Sequence, residues 1–389
     1  MKATWEMKKL GEICEENIKS PFKVEDATNS GEYPFFTSGE GVLTHDEYLV
    51  DGENIFLATG GYANVKYYNG KASYSADTWS LKVKNALTRF VYYQILARLK
   101  YIDEVLFRGS GLRHLQKKEF LNLEIPIPPL SVQQRIVRIL DTIQEAIDIQ
   151  EKIIEKAKEL KKSLMAELFK YGGPSFRKGR RLKKTEIGEF PEDWEVVRIK
   201  DVGSVITGTT PSTSVKEFWD GDIPFVTPSD FKNDSVYVYQ TGRKVTSAGA
   251  QKGRIIPKNS ILVVCIGSTL GKIALSYEEC ITNQQINAII CENFKVNPFF
   301  VYYFLLKNQG LLKAYAGTTT KPIVKKSLFE TFLIPLPSLP EQREIAEILQ
   351  TIDQKIEIEK RKKELYEELF KTMLNKIMNQ EIDVEKMEV

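Results

Sequence analysis

Two stretches of the chain carry apolar residues on a 4-3-4-3 spacing. In the first, Ile136, Leu140, Ile143, Ile147, Ile154, Ala157, Leu164 and Leu168 keep that spacing, with Gln150 and Lys161 as polar exceptions. In the second, Ile345, Leu349, Ile352, Ile356, Tyr366, Phe370, Met373 and Ile377 keep it, with Glu359 and Lys363 as exceptions. A sustained 3.5-residue repeat predicts helices that pair through a coiled-coil seam, and polar seam residues set register at a cost in stability. Each helix is predicted to run about 40 residues, or roughly 60 Å. The alternative is two separate helices, each packed on its own globular segment.

The intervening segments have another pattern. Residues 55–61 and 261–267 are short apolar runs that end in glycine, which predicts buried strands. Ser235 to Tyr239 alternates like a half-buried strand. Arg89 to Lys100 and Pro298 to Asn308 read as short aromatic-rich helices. The expected fold class is α+β, with a twisted, mostly antiparallel sheet in each globular unit.

The chain is a tandem duplication. Pro126 and Pro335, Gln133 and Gln342, Ile136 and Ile345, and Leu140 and Leu349 all stand 209 positions apart. Looser matches lie upstream: Trp5-Glu6 with Trp194-Glu195, Pro34-Phe35 with Pro224-Phe225, Val91-Tyr92-Tyr93 with Val301-Tyr302-Tyr303, and Gly109 with Gly317. The order is a variable globular unit, a Pro-rich hinge and a helix, twice over. The expected divisions are 1–125 and 191–334 for the globular units and 126–170 and 335–380 for hinge plus helix. Residues 171–190 are expected to be a linker and 381–389 a tail. The basic run from Arg177 to Lys184 reads as a solvated linker, or alternatively as a phosphate contact.

Composition narrows the function. Of 389 residues, 55 are Lys or Arg and 52 Asp or Glu, so the net charge is +3 and charge alone marks no nucleic-acid binder. No apolar run approaches the roughly 18 residues of a membrane helix, and no secretory leader opens the chain; a cytoplasmic protein is expected. The cysteines Cys14, Cys265, Cys280 and Cys291 form no CxxC pair, and only His45 and His114 accompany them. Buried thiols in a reducing compartment fit better than a zinc site.

Chemistry is sparse. Residues 267–272 tempt a phosphate-loop reading, but three residues separate the glycines and Ile273 follows the lysine, against the four and Ser/Thr that motif needs. No metalloprotease, serine-hydrolase or dinucleotide motif is present, and Asn297-Pro298-Phe299-Phe300 is not the Asn/Asp-Pro-Pro-Tyr type that holds a flipped adenine. No catalytic, cofactor or metal constellation is found.

What remains is binding. Loops mixing small residues, amides, cations and aromatics supply the candidates. In the first unit these are Thr37, Ser38, Tyr62, Asn64, Lys66, Arg108, Ser110, Arg113 and His114. In the second they are Thr209, Thr227, Ser229, Ser268, Thr269, Lys272, Gln284, Thr318, Thr319 and Lys321. Arg reads guanine and Asn or Gln reads adenine in the major groove, while hydroxyls and backbone amides hold phosphates. Each residue alone is commonly a solvated loop residue or a cap; their recurrence in two non-identical units points to double-stranded DNA.

The hinge–helix motifs, Ile125-Pro126-Ile127-Pro128-Pro129-Leu130 with Gln133-Gln134-Arg135-Ile136 and Ile334-Pro335-Leu336-Pro337 with Glu341-Gln342-Arg343-Glu344-Ile345, resemble those of the specificity subunits of type I restriction–modification enzymes. The resemblance covers nearly the whole chain. It is specific over the helices and general over the variable units. It implies that each globular unit is a target-recognition domain for half of an asymmetric bipartite DNA site. It also implies that the two helices pack as an antiparallel coiled coil with pseudo-two-fold symmetry, space the domains and dock the modification subunits. Those subunits use S-adenosylmethionine to methylate adenine N6, and a restriction subunit uses ATP and Mg. The specificity subunit itself is non-catalytic. With antiparallel helices the half-sites lie about one DNA turn apart, roughly 34 Å. A parallel pair stays open, since a linker of 20 residues at about 3.3 Å each reaches far enough. Two other readings are a coiled-coil scaffold that reads no DNA and a nucleotide-binding enzyme using the Gly267–Lys272 loop. Ile143→Asp is predicted to break domain spacing and partner assembly while half-site identity is kept, as read by methylation of the target site.

Overall fold

The computed structural model describes residues 5–232, 234–291, 294–316 and 322–386. The chain divides into two compact units, Met1–Glu151 with Arg361–Val389, and Lys152–Lys360. One sheet order occurs in both. In the first unit a four-stranded antiparallel sheet runs Cys14–Glu16, Thr78–Val83, Glu53–Ala58, Val65–Asn69. A three-stranded sheet beside it runs Val42–His45, Tyr33–Phe36, Ser73–Tyr74. In the second unit Gly203–Thr207, Ile286–Cys291, Ile261–Val264 and Ile273–Ser276 repeat the four. Arg243–Val245, Trp219–Val226 and Ile281–Thr282 repeat the three.

Pairing is mostly antiparallel, as expected, with three short parallel pairs among the described residues. One of these adds Tyr237–Val238 to the edge of the second unit's sheet. The alternating run at 235–239 therefore forms only two strand residues, and it has no counterpart among the described residues of the first unit. The aromatic helices are Thr88–Ala97 and Pro298–Lys307. Their buried faces, Phe90, Val91 and Tyr93 in one and Phe300, Tyr303 and Phe304 in the other, join the two main cores.

The Pro-rich segments are not flexible hinges. Glu124–Ile127 pairs antiparallel with Glu6–Lys9, setting Pro126 opposite Met7. Leu333–Leu336 pairs with Glu195–Arg198, setting Pro335 opposite Val196. Each ladder has only two strands, so each proline sits on an edge where its missing N–H is tolerated. These ladders explain why Trp-Glu recurs before each unit: each unit's opening strand is tied to the strand that leads into its helix.

The long helices are Leu130–Tyr171 and Leu339–Met378, of 42 and 40 residues. The first ends at Gly172, whose φ of +85° suits glycine and whose N–H donates to Leu168 O at 2.9 Å. Their pairing is antiparallel within each unit. In the first unit Ile136 and Leu140 share a core with Leu374, Ile377 and Met378, and further along Glu151 pairs with Lys363 at 3.2 Å. In the second, Met165, Leu168 and Phe169 share a core with Ile345 and Leu349, and Lys161 pairs with Asp353 at 2.6 Å. Ile147, Ile154 and Ile356 are buried, while Ile143, Leu164, Ile352, Phe370 and Met373 are half-buried. The seam and the alternative of helices packed on globular cores are both realised, because the helix ends enter those cores. Among the polar exceptions, Gln150 Oε1 is buried without a hydrogen-bond partner, and buried Glu359 takes Lys355 at 2.9 Å.

Two equivalent glutamines lock each helix start. Gln133 accepts from Leu87 N at 2.9 Å and donates to Pro128 O at 2.8 Å. Gln342 accepts from Asn297 N at 2.8 Å and donates to Pro337 O at 2.8 Å. Each joins the proline segment to the residue just before the aromatic helix.

The basic run is no solvated linker. Leu182–Thr185 pairs with Gly188–Pro191 as a hairpin. Arg180 holds Asp193 at 2.8 Å and the buried Glu341 at 2.8 Å. Arg177 donates to Gly172 O at 2.9 Å, and Lys183 donates to Glu192 O at 2.8 Å. Glu341 also accepts from Trp194 Nε1 at 3.1 Å and Gly173 N at 3.0 Å. Arg177, Arg180 and Lys183 are thus spent on internal partners, while Lys178, Arg181 and Lys184 are exposed. In the expected tail, Val384 is buried in the first unit's core.

Gln133→Leu and Gln342→Leu each orphan a backbone N–H and a carbonyl. Each is expected to lower stability by about 1–3 kcal/mol per orphaned group, read as the midpoint shift in urea unfolding.

Candidate nucleic-acid interface

In the first unit the candidate loops converge through backbone and side-chain bonds. Gly60 bridges to His114, Gly61 N donates to Arg113 O at 2.9 Å, and Leu115 N donates to Thr59 O at 3.0 Å. These bonds set the 60–66 loop beside the short hairpin Phe107–Arg108 and His114–Leu115. Asn64 Nδ2 donates to Gly39 O at 2.9 Å, and Lys66 Nζ to Thr37 O at 2.9 Å and Gly41 O at 3.3 Å. The loop carrying Thr37 and Ser38 is thereby drawn to the same place. Burial holds the Lys66 ammonium below its ordinary pKa. Lys66, one of the contact candidates, is thus a strut under the 37–41 loop.

The two arginines are also tethered. Arg113 grips Asp103 at 3.1 Å, lies 4.8 Å from the Tyr62 ring centroid, and Asp103 accepts from Ala63 N at 2.7 Å. Arg108 engages Glu119 at 2.9 and 2.7 Å and Val105 O at 3.0 Å. A guanidinium has five N–H donors, so Arg108 is oriented and still has donors to present. Tyr62 is 77% exposed, and Ser110 and His114 are exposed beside it. Asp103, which orders this cluster, was not among the sequence candidates; it lies in an irregular helical turn that no periodicity marks.

In the second unit Thr209 N donates to Thr282 O at 2.8 Å, Thr210 Oγ1 to Gln284 Oε1 at 2.7 Å, and Asn283 N to Val226 O at 3.1 Å. Gln285 Nε2 donates to Ile266 O at 3.3 Å. These contacts gather Thr209, Thr227, Ser268 and Gln284 around the ends of one set of strands. Gly208 is required there: a Cβ would lie 2.1 Å from Asn283 O. Thr227 bonds Ser229 at 2.8 Å and Asp230 at 2.7 Å, an internal turn.

Lys272 points elsewhere, donating to Phe231 O at 3.1 Å. The expectation that the turn presents Lys272 on the surface is corrected: Ser268 is exposed, whereas Thr269 and Lys272 are half-buried. The Gly267 turn joins strand Ile261–Val264 to strand Ile273–Ser276. A phosphate loop needs a following helix, and none follows here. Arg254, which the sequence reading missed, is exposed and donates to Thr207 O at 2.6 Å. Only the fold brings it to Thr207. Thr318, Thr319 and Lys321 lie outside the described residues.

Among the described residues no His/Cys/Asp/Glu group is arranged to hold a metal, and no helix is long and apolar enough to cross a membrane. Burial pushes all four thiols up to about 12, as expected of inert cysteines.

Comparison with known proteins identifies the family. The chain is 27% identical over 407 residues to the type I restriction enzyme MjaVIII specificity subunit of Methanocaldococcus jannaschii, covering 98% of this chain and 94% of that one. It is 27% identical over 376 residues to the EcoR124I/EcoR124II specificity subunit of Escherichia coli, covering 88% and 85%. The crystal structure of a type I restriction–modification S subunit from M. genitalium shares the fold, with a TM-score of 0.66, 16% identity, and coverage of 97% and 96%. Residues 2–159 and 191–368 each match the type I restriction modification DNA specificity domain, so the chain belongs to the family of type I restriction–modification specificity subunits.

Proposed function

We propose that the chain reads an asymmetric bipartite site in double-stranded DNA, one half per globular unit, and joins modification and restriction subunits. The observation that carries this is the tandem match of the specificity domain over 2–159 and 191–368. The two copies share one sheet order and differ in their loops, which favours two different half-sites. Base contact is assigned to Thr37, Ser38, Tyr62, Asn64, Arg108, Ser110, Arg113 and His114 in the first unit, and to Thr209, Thr227, Ser229, Ser268, Thr269 and Gln284, with Arg254, in the second. Lys66 and Lys272 act from behind as supports.

The chain itself is non-catalytic in this reading. S-adenosylmethionine belongs to the modification subunit, and ATP with Mg to the restriction subunit, all in the cytoplasm. Docking is supported by apolar residues that lie off the seam. Ile149 and Leu160 on the first helix are 54% and 53% exposed, and Ile358 and Leu369 on the second are 54% and 44% exposed. Each residue of the first pair stands 209 positions before its partner in the second. Exposed apolar residues at equivalent places mark contact surfaces.

Methylome sequencing of a host expressing this chain with a cognate modification subunit is expected to show one new asymmetric, bipartite N6-methyladenine motif. Swapping one unit's loops should change one half of it; a soluble complex that yields no motif would remove DNA reading. Leu160→Glu with Leu369→Glu is expected to weaken that complex at least tenfold in a titration by mass photometry, with the thermal midpoint held.

A further inference from the structure

Helix residues 209 positions apart line one cleft in each unit. In the first, Asp141, Gln144, Glu145 and Asp148 wall a cavity of about 330 Å³. In the second, Gln350, Asp353, Gln354 and Glu357 wall a cavity of about 390 Å³. Facing them are Tyr67 and Arg89 in the first, and Tyr237, Tyr239, Phe299 and Tyr303 in the second.

The first cleft contains its own guanidinium. Arg89 lies 4.5, 5.3 and 5.1 Å from the ring centroids of Tyr67, Tyr92 and Tyr93, and its Nε donates to Asp141 at 2.8 Å. Aromatic faces plus a carboxylate are the environment that a planar, delocalised cation prefers. The second unit repeats the Phe-Val-Tyr-Tyr run but has Phe299 where the first has Arg89. Lys161 takes over the inner pairing, bonding Asp353 at 2.6 Å and lying 5.3 Å from the Tyr303 centroid. Asp234 is held by Lys158 and Lys360.

The outer part of this cleft is left with aromatic rings and a carboxylate. Among the described residues its lining carboxylates are Asp234, Asp353 and Glu357, and Lys158 and Lys161 engage the first two. Tyr239 is 51% exposed, and its ring lies 5.6 Å from Tyr237 and 4.8 Å from Tyr277. The nearby Lys258 stacks on Tyr277 at 5.4 Å. Among the described residues the strand that carries Tyr237 has no counterpart in the first unit, so this aromatic wall distinguishes the second. Lys158 and Lys161 neutralise Asp234 and Asp353, so the exposed Glu357 together with the aromatic faces is what favours a cation here.

We propose that the cleft of the second unit binds an arginine side chain presented by a protein partner, in the place that Arg89 fills in the first. Naming the modification subunit as that partner rests on the function proposed above. The two units then differ toward a partner: one cleft carries its own guanidinium and, among the described residues, the other does not.

The probe is N-acetyl-L-argininamide, titrated into the full chain and followed on tyrosine ring resonances. Saturable binding in the millimolar range is expected, with none for N-acetyl-L-norleucinamide. Glu357→Gln and Tyr239→Ala should each weaken it at least fivefold, and Phe299→Arg, which supplies the cation in cis, should abolish it. Circular dichroism checks that each variant is folded, and the two surface variants keep the test decisive if Phe299→Arg does not fold. No saturable binding to the wild-type chain, or equal binding to folded variants, overturns the proposal. In assembly with a cognate modification subunit, Phe299→Arg is expected to raise the dissociation constant about tenfold. Argininamide binding without any wild-type assembly would support the cleft and overturn the proposed partner.

Discussion

The first unit cannot close its core from contiguous chain. Leu374, Ile377, Met378 and Val384 arrive from the far end of the sequence to cover Ile136, Leu140 and the Phe90–Tyr93 helix. The second unit spans 152–360 and uses the end of one long helix and the start of the other for the same purpose. The long helices are therefore shared core elements as well as a seam. A fully buried aliphatic side chain contributes about 1.5–3 kcal/mol, so Ile136, Leu140, Ile345, Leu349 and Ile377 each hold more of the packing energy than half-buried Ile143, Leu164 or Ile352.

Polar clasps fix how each helix leaves its globular part. The prolines set the exit strand, the two-stranded ladder ties it to the unit's opening strand, and the glutamine three residues into the helix closes the corner. The second copy adds a buried carboxylate, Glu341, satisfied by Arg180, Trp194 and Gly173. A buried charge with this many donors is costly to disturb, which makes the connection between the first helix and the second unit a defined corner.

With these corners set, the loops at the strand ends are free to differ. The same sheet order carries a Tyr62–Arg113–Asp103 cluster in one copy and a threonine–glutamine cluster in the other. The same cleft carries Arg89 in one copy and an open aromatic wall in the other. Duplication preserved the scaffold, and divergence acted on side chains that the scaffold does not need.

The sequence alone determined the duplication, the seam, the two aromatic helices and the buried strands, because these depend on periodicities of 3.5 and 2 that local chain geometry enforces and, over the proline segments and long helices, on a constant offset of 209. It also placed the candidate loops, since glycine-rich turns after apolar runs are local signals. Tertiary structure decided the rest. Which cations are free was illegible: Lys66, Arg180 and Lys272 find carbonyls or carboxylates 25 to 161 positions away, and no local pattern encodes such a partner. The strand character of the proline segments, the turn of the basic run into a hairpin and the arrival of Arg254 beside Thr207 have the same cause. Each is a pairing between distant segments, and its free energy appears only once the cores have brought them together.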